Sequence, residues 1–207
     1  MRRVAILISG RGSNLERILM EARGGCLRGL CEVAVVVSNR PTAGGLEIAR
    51  RAGVATCVVP SRGLDAGAYG ERLLAALEPW RVDNLVLAGF MRVLSPAVVS
   101  RFRERIANIH PADTSAYQGM DGYGWAFERR LRKTTITVHL VEEGVDTGRV
   151  LAQAAVSLEG AATLEEVRRR GLAVEHDLYS RTLRTWFESQ DRPAGAPAEG
   201  RTPCAGS

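Results

Sequence analysis

Lysine is almost missing from this chain: Lys133 is the only one among 207 residues that carry 28 basic side chains. Schiff-base chemistry and a phosphate-loop lysine therefore have a single residue to draw on, and the net charge of +5 is almost wholly arginine. Aromatic residues make up 5%, a poor supply of stacking platforms for nucleic acid, and the arginines are scattered along helix faces. A solvated surface with mild attraction for small anions follows. Four cysteines, Cys26, Cys31, Cys57 and Cys204, show neither metal-ligand spacing nor framework density, so reduced thiols are expected. No apolar run approaches the roughly 18 residues of a membrane span, and residues 4–9 are too few for a signal-peptide core. The expectation is a cytoplasmic protein with small-molecule substrates, without a nucleic-acid or membrane partner, acting as a monomer or homodimer.

With 45% hydrophobic and 25% charged residues, the chain has material for one core, expected as a single domain over residues 1–190. Residues 191–207, rich in Pro, Gly and Ala, read as a disordered tail. Within the domain, apolar runs at residues 3–9, 32–38, 55–59 and 84–88 predict buried strands, and residues 15–20, 43–52 and 69–78 carry helical spacing between them. That alternation is the signature of βαβ units and predicts an α/β fold, a doubly wound and mostly parallel sheet of Rossmann type. Residues 97–101 read as a helix started by Ser95-Pro96, residues 135–141 and 151–156 as further strands, and residues 164–186 as a long amphipathic helix.

Ligands of such sheets bind beyond the carboxyl ends of the strands, and three segments fall there. Gly10-Arg11-Gly12-Ser13-Asn14 follows the first strand and opens a helix, where glycines admit close backbone approach and the first amides can hold a phosphate. Leu15 stands where a dinucleotide fingerprint has its third glycine, so a monophosphate fits better than a dinucleotide. The alternative is a plain tight turn with Ser13 as N-cap. Residues 89–96 follow the fourth strand, a mixed apolar segment with backbone exposed beside a cleft. Asn108-Ile109-His110-Pro111 places an amide and an imidazole two residues apart, on one side of an extended segment. Asp146, in the Gly-flanked turn of residues 144–148, can reach them. An amide, an imidazole and a carboxylate are what acyl transfer to an amine needs; the other reading is a capped loop with Asp146 as a turn former. His139, among apolar neighbours, reads as a hydrogen-bonded structural histidine.

In this order the motifs resemble the phosphoribosylglycinamide formyltransferase family, the folate-dependent enzymes of purine synthesis, over residues 3–189. Residues 8–15 are similar to the family's phosphate loop, residues 88–96 to its pterin-side segment, residues 108–111 to its catalytic motif, residues 138–139 and 142–148 to its aspartate-bearing strand and loop, and Glu175-His176 to a substrate-contacting glutamate. The resemblance implies glycinamide ribonucleotide as acceptor, its phosphate at Gly12, Ser13 and Asn14, with Glu175 as a further contact. It implies 10-formyltetrahydrofolate as co-substrate, held by Met91, Arg92, Val93, Leu94 and Asn108 on one side and by Glu142, Glu143, Gly144 and Val145 on the other. It implies Asn108, His110 and Asp146 as the catalytic trio, with Asp146 favouring a charged imidazolium, and no metal.

The chain departs from the family pattern around the acceptor. Ala112-Asp113-Thr114-Ser115 replaces Ser-Leu-Leu-Pro, Asp121 stands where a histidine is common, an arginine expected near Gly67 is missing or displaced, and Arg149 replaces a proline. These changes leave other readings open: a formyltransferase using an amino sugar nucleotide, a formyltetrahydrofolate hydrolase, or a non-catalytic folate- or phosphate-binding module. A tRNA-formylating enzyme is expected to append a nucleic-acid domain after residue 190, where only a short tail follows. A side chain at Gly12 is expected to obstruct the acceptor phosphate while sparing folate.

Overall fold

The computed structural model describes residues 1–190; the expected disordered tail and Cys204 lie outside them. Seven strands form one sheet: β1 (Arg2–Ile8), β2 (Cys31–Ser38), β3 (Thr56–Val58), β4 (Asn84–Leu87), β5 (Ile106–His110), β6 (Lys133–Leu140) and β7 (Val150–Ser157). Their order is β3-β2-β1-β4-β5-β6-β7. The first five run parallel, and β6 and β7 join antiparallel. The doubly wound, mostly parallel sheet expected from the apolar runs is therefore present.

Alternation along β1 explains why a strand with no polar face is stable. Val4, Ile6 and Ile8 point to one face and meet α1 (Ser13–Gly24), α2 (Gly45–Arg51) and α6 (Leu164–Gln190). Ala5 and Leu7 point to the other, where α3 (Ala66–Leu77) and α4 (Pro96–Arg101) supply Tyr69, Leu73, Val98 and Val99. A fully buried aliphatic side chain contributes about 1.5–3 kcal/mol, so a strand covered on both faces carries twice the driving force of an alternating one.

Two helix starts follow from capping. Asp65 accepts from the Ala68 amide at 2.8 Å and begins α3 at Ala66, three residues before the periodicity does. Ser95 caps α4 with Pro96 at its first position. A further helix, α5 (Gly122–Glu128), is absent from the sequence reading, because Gly-Tyr-Gly-Trp-Ala-Phe-Glu carries no amphipathic stripe. The side chain of Asp121 caps it, accepting from Gly124 N at 3.0 Å.

Helix α6 lies across the sheet. Its Tyr179, fully buried, reaches the backbone oxygens of Leu87 and Ala107, each at 3.0 Å, and ties the helix to β4 and β5. Strand order reverses between β1 and β4: the chain winds outward to β3 from one and to β5 from the other. That reversal leaves a crevice at the carboxyl ends of β1, β4 and β5.

Candidate functional site

A cavity of about 780 Å³ occupies this crevice. Its walls are the residues 10–14 turn, the residues 87–94 segment, the end of β5, the residues 142–147 loop and α6 around Glu175.

Asn108 and His110 alternate with buried Ala107 and Ile109 on β5, so both side chains leave the same face of the sheet. Antiparallel pairing sets His139 of β6 directly opposite Asn108. Asn108 Nδ2 lies 3.2 Å from His139 Nε2 and donates to Asp146 Oδ1 at 3.5 Å. Asp146 Oδ2 is 3.4 Å from His110 Nδ1, and Asp146 Oδ1 is 3.4 Å from His139 Nε2. The expected trio is thus brought together, and His139 belongs to the same cluster. Its place was hidden because an alternating strand conceals which residue stands opposite. Asp146 sits at φ 54°, a left-handed conformation that Asp tolerates better than most side chains. Gly148 follows because a Cβ there would strike the Leu140 carbonyl.

The segment that departs from the family pattern has its own order. Asp113 accepts from Ser115 N at 2.9 Å in an Asx turn. The turn delivers Tyr117, whose backbone oxygen lies 3.0 Å from His110 Nε2. The Tyr117 ring stacks on Trp125 of α5 at 5.0 Å. His110 therefore has an oxygen acceptor at each ring nitrogen, a setting that suits an imidazolium. Burial works against it and pulls the His110 pKa below its ordinary value, while Asp146 and the Tyr117 carbonyl pull upward and His139 downward. Asp146 acts in the expected sense but burial outweighs it, so the net shift favours the neutral imidazole. For Asp146 itself, burial raises the pKa, and His139, His110 and the Gly119 amide together outweigh it and leave the carboxylate ionised.

Gly12 has a reason for being glycine other than the one expected. It sits at φ 90°, and a Cβ there would lie 2.6 Å from Gly45 Cα of α2. A Cβ on Gly45 would meet Ile8 Cδ1 at 2.6 Å and Leu15 Cδ2 at 3.3 Å. The close approach that a third fingerprint glycine provides elsewhere is supplied here by a glycine of the neighbouring helix, and Leu15 is buried core. Ser13 is the first residue of α1 rather than its cap, and no side chain caps the helix at Gly12. First-turn amides and Ser13 thus border the cavity at the positive end of the helix. Asn14 turns from that loop to Glu175, its Nδ2 donating to Oε2 at 2.5 Å.

On the opposite wall, Arg92 is a strut rather than a ligand arm. Its guanidinium donates to the carbonyls of Ser61, Leu64 and Asp65 and lies 4.7 Å from the Tyr69 ring centroid. The Met91 amide donates to Ser9 Oγ at 2.8 Å, which leaves this residue's carbonyl and side chain for a ligand. Met91, Val93 and Val145 expose apolar surface at the cavity, and Leu94 is buried beneath them. Glu142, Glu143 and Gly144 continue the facing wall.

Residues 2–183 match the formyl transferase family. The chain belongs to that family. Among its formyl transferase relatives, the phosphoribosylglycinamide formyltransferase of Escherichia coli K12 is 36% identical over 185 residues, covering 89% of this chain and 86% of that one. The trifunctional purine biosynthetic protein adenosine-3 of Drosophila melanogaster is 37% identical over 183 residues, where the chain spans 14% of the relative's length. The crystal structure of glycinamide ribonucleotide transformylase 1 from Symbiobacterium toebii superposes with a TM-score of 0.86 at 39% identity, over 94% of this chain and 92% of that one. The expected resemblance and formyltransferase fold are met, and the chain is a formyltransferase.

Proposed function

We propose that this protein transfers the formyl group of 10-formyltetrahydrofolate to the amine of glycinamide ribonucleotide in purine biosynthesis. The observation that carries the proposal is the meeting of Asn108, His110 and Asp146 in a cavity that also borders the uncapped start of α1.

The walls suit a flat heterocyclic donor. The backbone of Met91, Arg92, Val93 and Leu94 faces the loop of Glu142, Glu143, Gly144 and Val145 across the cavity, with apolar side chains exposed on both sides. The backbone amides of Gly12, Ser13 and Asn14 at the start of α1 would hold the acceptor phosphate and Glu175 its cationic or hydroxyl donors.

The amine of the acceptor arrives as an ammonium and attacks only after losing a proton. Neutral His110 takes that proton by relay through water and Asp146, since both ring nitrogens face oxygens, and the resulting imidazolium is satisfied by Asp146 and the Tyr117 carbonyl. The charged ring and the Asn108 amide then stabilise negative charge developing on the formyl oxygen. After attack the adduct nitrogen gives up a second proton; one of the two protons lost goes to the departing folate nitrogen and the other is released to solvent, so the formamide, tetrahydrofolate and one proton balance the reaction. Small-molecule substrates and a cytoplasmic setting, without nucleic acid or membrane, complete the reading.

Purified protein with 10-formyl-dideazafolate should be offered glycinamide ribonucleotide, an amino sugar nucleotide and water in parallel. Deformylation only with the ribonucleotide is expected. Equal release with water would make the protein a hydrolase, release with the sugar nucleotide alone would change the acceptor, and binding without release would make it a module without catalysis.

A further inference from the structure

Helix α5 completes the acceptor side of the cavity through two glycines that let it pack closely. Gly122 sits against the chain leaving the catalytic strand, where a Cβ would lie 2.7 Å from the Pro111 carbonyl oxygen. The next residue, Tyr123, is buried, and its ring lies against Gly171 of α6, where any Cβ would overlap the ring and its hydroxyl. Glycine is a poor helix former, so its presence inside a 27-residue helix is explained by the ring it admits. One turn further along α6, the Tyr123 hydroxyl donates to Glu175 Oε1 while Asn14 Nδ2 donates to Oε2. Asn14 Oδ1 is buried without a hydrogen-bond partner among the described residues. Turning that amide over would set its oxygen against the carboxylate, so the orientation is determined. Asn14 and Glu175, 7% and 5% exposed, both line the cavity. Helices α1, α5 and α6 thus meet at one carboxylate.

We propose that Tyr123 is a positioning residue for the acceptor: its hydroxyl, with Asn14, locks Glu175 in the one arrangement that receives the acceptor's ammonium or hydroxyl donors. This rests on the reading of the reaction given above. A free glutamate loses rotamer freedom when it binds a ligand, and a carboxylate already held on both oxygens has lost that freedom on folding and keeps lone pairs for the ligand. Burial, and then the Glu175 charge, raise the Tyr123 pKa, so the phenol stays a donor.

Tyr123→Phe keeps the ring against Gly171 and removes only the hydroxyl. Steady-state kinetics of the full-length protein with 10-formyl-dideazafolate and glycinamide ribonucleotide should show an acceptor KM raised about tenfold or more, the size of one hydrogen bond to a charged group. The folate KM should be unmoved and kcat much less affected. In a Glu175→Gln background the same substitution should add little. Gly171→Ala, which displaces the ring and leaves every hydrogen-bonding group in place, should raise the acceptor KM in the same selective way. An unmoved acceptor KM in folded Tyr123→Phe, or equal rises for both substrates, overturns the inference alone. A wild-type protein inactive with the ribonucleotide overturns the proposed reaction and this inference with it.

Discussion

At the scale of the residue, the cluster is a contest between burial and charge on His110. Asp146 supplies the leading upward pull on that imidazole against the larger downward pull of burial. Asp146→Asn preserves shape and tolerates the left-handed backbone at φ 54°, so it removes charge and little else. Two effects are expected. The His110 pKa, followed by NMR titration, should fall further below its ordinary value, because the anion that raised it is gone. Turnover should drop about 10²–10³-fold, comparable to the loss of one oxyanion donor at about 2.7–4 kcal/mol, with binding of both substrates much less affected. An unshifted His110 with near-normal turnover would return Asp146 to being a turn residue. Asn108, His110 and Asp146 were legible in the sequence because their chemical types are distinctive. The opposing effect of burial was not, because no local pattern reveals how much water a side chain has lost.

At the scale of the element, the phosphate-loop turn is held by contact with a second helix. A Cβ on Gly12 would lie 2.6 Å from Gly45 Cα and force the helices apart, whereas a Cβ on Gly10 meets nothing within 4 Å. Gly12→Ala should therefore cost about 1–3 kcal/mol of stability from its left-handed backbone alone, plus the clash with α2. Gly10→Ala should be nearly neutral. Urea denaturation of the two variants gives the comparison, and similar midpoints would show that α1 and α2 move apart freely. The expectation that a side chain at Gly12 spares folate binding is thereby revised, since a shifted α1 disturbs the whole cavity edge. Helix α5 teaches a related lesson. Its glycines and aromatics make sense only against Pro111, Trp125's partner Tyr117, and Gly171, all supplied by other elements.

At the scale of the whole molecule, the buried cluster couples catalytic groups to acid stability. Both His110 and Asp146 have folded-state pKa values below their ordinary ones. The unfolded chain therefore binds protons at a higher pH than the folded protein does, and stability falls as pH falls. For His110 the stability is fully present above about pH 6.5 and is lost as pH drops through its lowered value; for Asp146 the loss comes below about pH 4. Thermal unfolding between about pH 7.5 and 5 should show a declining midpoint, and His110→Asn should flatten that decline. Equal slopes in the two proteins would mean that His110 titrates alike folded and unfolded.

The amino-acid order alone determined the alternation of apolar strands and amphipathic helices, the winding of the sheet and the positions of the ligand-facing turns. Those are local consequences of periodicity, capping and backbone freedom, readable within a dozen residues. Tertiary structure alone decided that His139 stands opposite Asn108, that the Tyr117 carbonyl holds His110, that Gly12 yields to Gly45, and that Tyr123 and Asn14 share Glu175. Each of these joins side chains or backbone from different elements, and the distance between such groups is set by packing and strand register rather than by any neighbour along the chain.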